Sequence, residues 1–287
     1  MNRRKLNLLF GIISLICIFG IMGIFALTSI VTLVIVVSGG QKYYLDGYLQ
    51  ANLDFTKKDV IKRNYDGFVL ICGREGFGKT TLSFQVALYC DPTFNLDRVV
   101  FTAEQFLEAV EKAEKYQAIV FDETMGYLSS RGSMSKFNKA LIKVMSEMRS
   151  KNLFIFLNIP NFFMMDWYVA QHRTTGLLYT YKRSFFASYD YPTKKKLYRE
   201  GKKYHSYHIP PNFKGRFVKY FPLDQEAYEH KKQIAINQWA ENTKMESRWM
   251  LQRDKLAKHC EEFNLMTRKE LSEVLGLSVM QIGNILK

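Results

Sequence analysis

Apolar and polar positions divide the chain into six regimes. Residues 8–37 carry no charge and hardly a polar side chain, longer than the ~20 residues that cross a bilayer, and predict a membrane segment. A cleaved signal peptide would have a shorter apolar core and a small-residue cleavage site. Residues 39–65 open on Gly39-Gly40, turn polar and charged, and read as a linker. From residue 66 short buried runs alternate with amphipathic ones. The runs 67–72, 98–101, 118–123 and 152–158 predict strands, with helices from Lys79, from Thr102 to about Lys115, and from Ser135 to about Met148. Thr102-Ala103-Glu104-Gln105 is a capping box opening the second helix. Phe137, Leu141, Val144, Met145 and Met148 form one core stripe on the third. This alternation predicts an α/β domain over residues 66–181, a parallel sheet with helices on both faces.

The remaining regimes are less regular. Residues 182–222 alternate in short runs separated by Asp190-Tyr191-Pro192 and Glu200-Gly201-Lys202, which predicts hairpins. Residues 223–263 are rich in helix formers and nearly balanced in charge, and predict one or two exposed helices as a spacer. In residues 264–287, Thr267-Arg268-Lys269-Glu270 and Ser278-Val279-Met280-Gln281 are successive capping boxes around the Gly276-Leu277 turn. Leu271, Leu275, Ile282 and Ile285 supply the expected small core, with Ser272 at the close helix contact. The pattern resembles a helix-turn-helix whose reading helix is residues 278–287, although that helix offers few basic residues. A protein-binding helical module fits the same pattern.

The chemistry concentrates where strand meets helix. Gly73-Arg74-Glu75-Gly76-Phe77-Gly78-Lys79-Thr80 follows the apolar run 67–72 and precedes Thr81 and a helical run. Strand, glycine loop and helix in that order are what G-x-x-x-x-G-K-[ST] requires of a phosphate-binding loop. Glycines let backbone N–H groups converge on a triphosphate, and the helix adds its positive end. Lys79 then reaches the β and γ phosphates of ATP, and the Thr80 hydroxyl holds Mg²⁺. A glycine turn that binds nothing is the bland alternative.

The strand 118–123 ends in Asp122-Glu123. In P-loop ATPases such a pair holds Mg²⁺ through its first acid and polarises the attacking water with its second. A nucleotide kinase has no need of a water-activating glutamate, so Glu123 favours hydrolysis. Asn158 ends the neighbouring strand and either hydrogen-bonds the γ phosphate or attacking water, or forms a turn before Ile159-Pro160. Arg149 and Arg173 are candidates for an arginine donated to a neighbouring subunit, with Arg131 behind them.

Charge adds a partner class. The 287 residues carry a formal net charge of +14, which points to nucleic acid or an acidic lipid surface. Between Lys182 and Lys219 eleven lysines and arginines face only Asp190 and Glu200, with Phe185, Phe186, Tyr189, Tyr191, Tyr198, Tyr204, Tyr207, Phe213 and Phe217 interleaved. Cations for phosphates and aromatic faces for bases make DNA the expected partner, with acidic headgroups as the competitor. The nucleotide domain must face the cytoplasm, yet Arg3, Arg4 and Lys5 flank the other end of the apolar run. Two short helices turning at residues 20–23, or one tilted helix, satisfy these demands. Cys17, Cys72, Cys90 and Cys260 lack paired spacing and read as reduced thiols, with no zinc site.

Gly73 to Thr80, Phe121-Asp122-Glu123 and the run from Arg149 to Asn158 together resemble the additional-strand P-loop ATPases. Within them the chain is most similar to the FtsK/HerA-type motors, including viral genome-packaging ATPases and zonula-occludens-toxin-like phage assembly proteins. The resemblance covers roughly residues 67–181. It implies a ring that hydrolyses ATP at subunit interfaces and drives DNA, with Asn158 at the polar sensor position and an arginine completing the neighbour's site. Many such motors carry Gln where this chain has Asn158, and the arginine is unassigned.

Overall fold

A computed structural model describes residues 35–122, 142, 148–263 and 265–286, which fall into two units, broadly the residues up to Gln225 and those from Glu226 on. Most of the expected membrane run lies outside the described residues, as do Glu123, Arg131, Phe137, Leu141, Val144 and Met145. Met148, the last residue of that stripe, is fully buried. Among the described residues no helix is long and apolar enough to cross a membrane.

The end of the apolar run differs from expectation. Ile35–Ser38 (β1) pairs antiparallel with Gln41–Tyr44 (β2) across Gly39-Gly40, both at positive φ, the geometry that suits a tight hairpin. Val36 and Tyr43 are buried, and Ser38 Oγ donates to the carbonyl of Leu88 at 2.6 Å. The expected linker is likewise folded. Asp46 caps helix α1 (Gly47–Arg63) by accepting from the N–H groups of Tyr48 and Leu49, and Asn64 closes it in the left-handed region. Leu49, Leu53 and Val60 are its buried face.

The first unit is built on a seven-stranded sheet flanked by helices. In chain order its strands are β3 (Gly67–Gly73), β4 (Val99–Val100), β5 (Ala118–Asp122), β6 (Phe154–Ile159), β7 (Gly176–Lys182), β8 (Phe185–Tyr189) and β9 (Phe213–Arg216). Their spatial order is β4-β5-β6-β3-β7-β8-β9. The pairs up to β7 are parallel, and β8 and β9 add antiparallel strands. β3, β5 and β6 are nearly solid apolar runs, as strands covered on both faces must be. Helix α2 (Lys79–Cys90) follows β3, and α3 (Ala103–Lys112) follows β4 with Thr102 as its N-cap. The parallel order places the carboxyl ends of β3, β5 and β6 together, the position of ligand crevices in such sheets.

Neither turn expected in residues 182–222 closes a hairpin; β7 and β8 turn instead at Arg183-Ser184. Asp190-Tyr191-Pro192 and Glu200-Gly201-Lys202 fall at the two ends of helix α4 (Tyr191–Gly201). Asp190 accepts from the N–H of Thr193 as N-cap and a proline enters the first turn, so that stretch starts a helix where turn residues had predicted a bend. Several of the interleaved aromatics are core, with Phe186, Tyr189, Tyr198 and Phe217 buried.

Lys194 of α4 is fully buried. Its Nζ donates to the carbonyls of Ala170 and Thr174, both at 2.7 Å, and to Thr174 Oγ1 at 2.6 Å, fastening the π-helical turn Val169–Arg173. Burial, with the charge of Lys195 nearby, lowers its pKa to about 7. The unfolded chain then binds the extra proton above that value, so stability should rise between about pH 7 and the ordinary lysine range near 10.5. Urea midpoints measured across this window should climb in the parent and stay flatter in Lys194→Met.

The second unit contains one long helix, α5 (Gln225–Glu262), then α6 (Arg268–Leu275) and α7 (Val279–Ile285). Both expected capping boxes are present, and Gly276 takes the left-handed C-cap. Leu271 and Ile282 form the core with Cys260 of α5, and Leu275, Leu277 and Leu286 pack against it. Ser272 serves the turn rather than a helix contact, donating from Oγ to the carbonyl of Leu277 at 2.5 Å.

Candidate nucleotide site

The glycine loop owes its shape to close packing. Gly73 sits at φ +142, and a Cβ there would fall 2.1 Å from Thr180 Oγ1 and 2.3 Å from the Thr180 carbonyl oxygen. Gly78 sits at φ +92 against the ring of Phe217, 2.8 Å from where its Cβ would be. Arg74, Glu75 and Gly76 at the crest are exposed, whereas Phe77, Lys79, Thr80 and Thr81 are half-buried. Lys79 Nζ lies across the loop, donating to the carbonyl of Gly73 at 2.7 Å and of Arg74 at 3.2 Å. Gly78 is the N-cap of α2 and supplies no side chain, which keeps the first-turn amides of the helix directed into the loop.

Two strands and the first turns of α2 deliver the polar groups. Thr80 Oγ1 donates to Asp122 Oδ2 at 3.0 Å, and Asn158 Nδ2 donates to Asp122 Oδ1 at 2.9 Å. Asn158 Nδ2 also meets Ser83 Oγ at 3.0 Å, and Ser83 Oγ donates to the carbonyl of Thr80 at 2.8 Å. β5 and β6 are registered with Asp122 opposite Asn158, so the strand that intervenes between β3 and β5 is also the one that aligns the acid. Asp122 and Asn158 are both buried. The amide nitrogen of Asn158 is committed to Asp122 and Ser83, so its role in this geometry is to orient the carboxylate. Ser83 has a signal in the sequence, one helical turn after Thr80 on the same face, that motif reading passes over.

A hydroxyl and a carboxylate in contact at the foot of the loop are hard oxygen donors, and they suit Mg²⁺, which keeps several waters and takes few protein ligands beside phosphate. The described residues hold no cluster of three or more His, Cys, Asp or Glu, so a metal site built wholly from protein ligands is absent among them. Glu123, expected as the water-activating acid, follows Asp122 directly and lies outside the described residues.

The arginine candidates stand elsewhere. Arg173 lies just ahead of β7 and pairs with Asp66, just ahead of β3, at 2.9 Å. The carbonyl of Arg149 accepts from the N–H of Asn152 in the turn entering β6. Both therefore sit at the amino ends of the strands, while the loop is at the carboxyl ends. Within one chain the length of the sheet separates them from Lys79.

Groups that no motif reading singled out line the other flank. Thr180 Oγ1 donates to the carbonyl of Cys72 at 3.0 Å, and Arg183 Nε reaches the carbonyl of Gly76 at 3.3 Å. Gln85 on α2 donates from Nε2 to the carbonyls of Val218 and Tyr220, at 2.9 and 2.7 Å. Cys72 and Cys90 are buried thiols whose pKa burial pushes up to about 12, which removes them as nucleophiles.

No curated protein matches the chain. Residues 56–161, which contain the loop, Asp122 and Asn158, match the family model described as Novel STAND NTPase 3. Over that stretch the chain is similar to a P-loop NTPase-type family, and the site geometry agrees with it.

Proposed function

We propose that the chain is a Mg²⁺-dependent ATPase of the additional-strand P-loop class, a ring-forming motor of the FtsK/HerA type acting on DNA from the membrane. The observation that carries the reading is the network of Thr80, Asp122, Asn158 and Ser83, which joins the start of α2 to the carboxyl ends of β5 and β6. In this reading Lys79 transfers its donors from the loop carbonyls to the terminal phosphates. Thr80 and Asp122 would hold Mg²⁺, which would supply neutralisation of the phosphate charge. Asn158 and Ser83 keep the Asp122 carboxylate turned toward Thr80. Glu123 polarises the attacking water, and an arginine from a neighbouring copy completes the site.

DNA is supported by the basic residues between Lys182 and Lys219, several of which lie over aromatic faces: Lys214 over Tyr181, Lys182 over Phe185 and Lys203 over Tyr204. The membrane is supported by the uncharged sequence from Leu8 onward, which exceeds ~20 residues even with β1 removed from it. Detergent-solubilised full chain should hydrolyse ATP faster with DNA than without, and Glu123→Gln should stop turnover. Unstimulated hydrolysis that survives Glu123→Gln would refute the motor.

The α6–α7 pair, with both capping boxes formed, favours a second reading, an ATP-dependent switch that tethers DNA without moving it. A particle that stays monomeric in every nucleotide state decides for the switch, because a ring needs the neighbour's arginine.

A further inference from the structure

We propose that Arg183 is a cationic arm acting within its own chain, clamping the non-terminal phosphates of the bound nucleotide from the β7 flank. This rests on the phosphate-loop reading of Gly73 to Thr80.

The sheet order divides the loop into two flanks. β6 and β5 lie to one side of β3 and bring Asn158 and Asp122 to Thr80, which fixes where the terminal phosphate and the metal belong. β7 lies on the other side. It is registered with β3 through Gly73 opposite Thr180, and three residues later it places Arg183 at the crest of the loop. The nucleotide's remaining phosphates and nucleoside are left to that flank.

Arg183 is held there by backbone, not by chance of rotamer. Ser184 takes φ +65 to turn the chain, and its carbonyl accepts from the N–H of Phe217 at 3.0 Å. The Phe217 ring in turn packs on Gly78. The turn is thus fastened to both sides of the loop it overlooks. The side chain itself is weakly engaged: an exposed bond from Nε to the Gly76 carbonyl at 3.3 Å, near the upper limit for such bonds. A phosphate oxygen makes a shorter, charge-assisted bond and accepts the planar guanidinium two atoms at a time, so it displaces a neutral carbonyl. The loop and turn contribute Arg74, Lys79, Lys182 and Arg183 against Glu75, a surplus that suits a polyanion.

An arm on the non-terminal phosphates binds ADP and ATP alike and contributes little to the bond-breaking step. With the full chain, fluorescent-nucleotide titration of Arg183→Ala should show Kd for ADP and ATP raised by a common factor of about ten to a hundred. KM for ATP should rise by more than kcat falls, and Arg183→Lys should recover part of the loss. The melting temperature without nucleotide should match the parent, since the bond lost is exposed. Weakened ATP binding with ADP binding intact would place the arm on the terminal phosphate and overturn the proposal. Unchanged affinity for both, with or without a lower melting temperature, would reduce Arg183 to a loop fastener and overturn it equally. Lys79→Ala run alongside separates the two levels: if it too binds nucleotide as well as the parent, the phosphate-loop reading itself fails.

Discussion

Lys79→Ala should lower the maximal rate of ATP hydrolysis by about a hundred- to a thousandfold, the loss typical of deleting one donor aimed at developing charge. The ammonium is poised over its own loop by the carbonyls of Gly73 and Arg74, at 2.7 and 3.2 Å. These acceptors keep it near the phosphate path, and exchanging them for anionic oxygens strengthens each bond. Lys79→Arg should not rescue turnover, because the guanidinium fork cannot occupy a position shaped for a compact point charge. The effect belongs to chemistry rather than folding, so circular dichroism and the melting temperature should be close to those of the parent. Steady-state phosphate release by purified parent and variant, at saturating ATP with Mg²⁺, checks the expectation. A variant retaining more than a tenth of the parental rate contradicts it.

Gly73→Ala should instead destabilise the first unit, by about 3 kcal/mol or more. Two costs coincide there. The residue holds φ +142, a region that side chains rarely enter, and the added carbon would meet Thr180 Oγ1 at 2.1 Å and its carbonyl oxygen at 2.3 Å. A flexible side chain could move aside, but the carbonyl belongs to β7, which is paired with β3 through this same residue. Relief requires parting the two strands. Thermal unfolding should drop by roughly 6 °C or more. Thr180→Ala, which removes the hydroxyl and leaves the carbonyl, should restore only a small part.

The glycine loop, the Asp122 strand and the Asn158 strand were legible because each couples a strong local signal to a long apolar run. The capping boxes at Thr267 and Ser278 were legible for a similar reason, since the residues that make the hydrogen bonds are three apart in sequence. Other features depend on partners distant in sequence. Helix α1 buries only Leu49, Leu53 and Val60 in seventeen residues, too thin a stripe to stand out from a polar connector. β1 is the tail of a long apolar run, and nothing local separates its last four residues from those before them. Helix α4 begins with Asp190 and a proline, which serve turns and helix starts equally; burial of Lys194 and Leu197 decides between them. Arg183 and Phe217 reach the loop only because β7, β8 and β9 lie side by side, and no spacing in the chain announces that. Arg149 and Arg173 are candidates for a neighbouring copy's site, and strand direction places them at the amino ends of the strands of their own sheet, away from their own loop.

Gln85 ties the helix that follows the glycine loop to the segment that leaves β9, donating from one amide nitrogen to two carbonyls two residues apart, those of Val218 and Tyr220. A rigid strut of this kind admits no independent sliding. If nucleotide exchange displaces α2 by as little as one ångström, both bonds must stretch or residues 218–220 must travel with it. The stretch just ahead of α5 is therefore mechanically geared to the glycine loop, and Gln85 is the tooth at which that gear would slip.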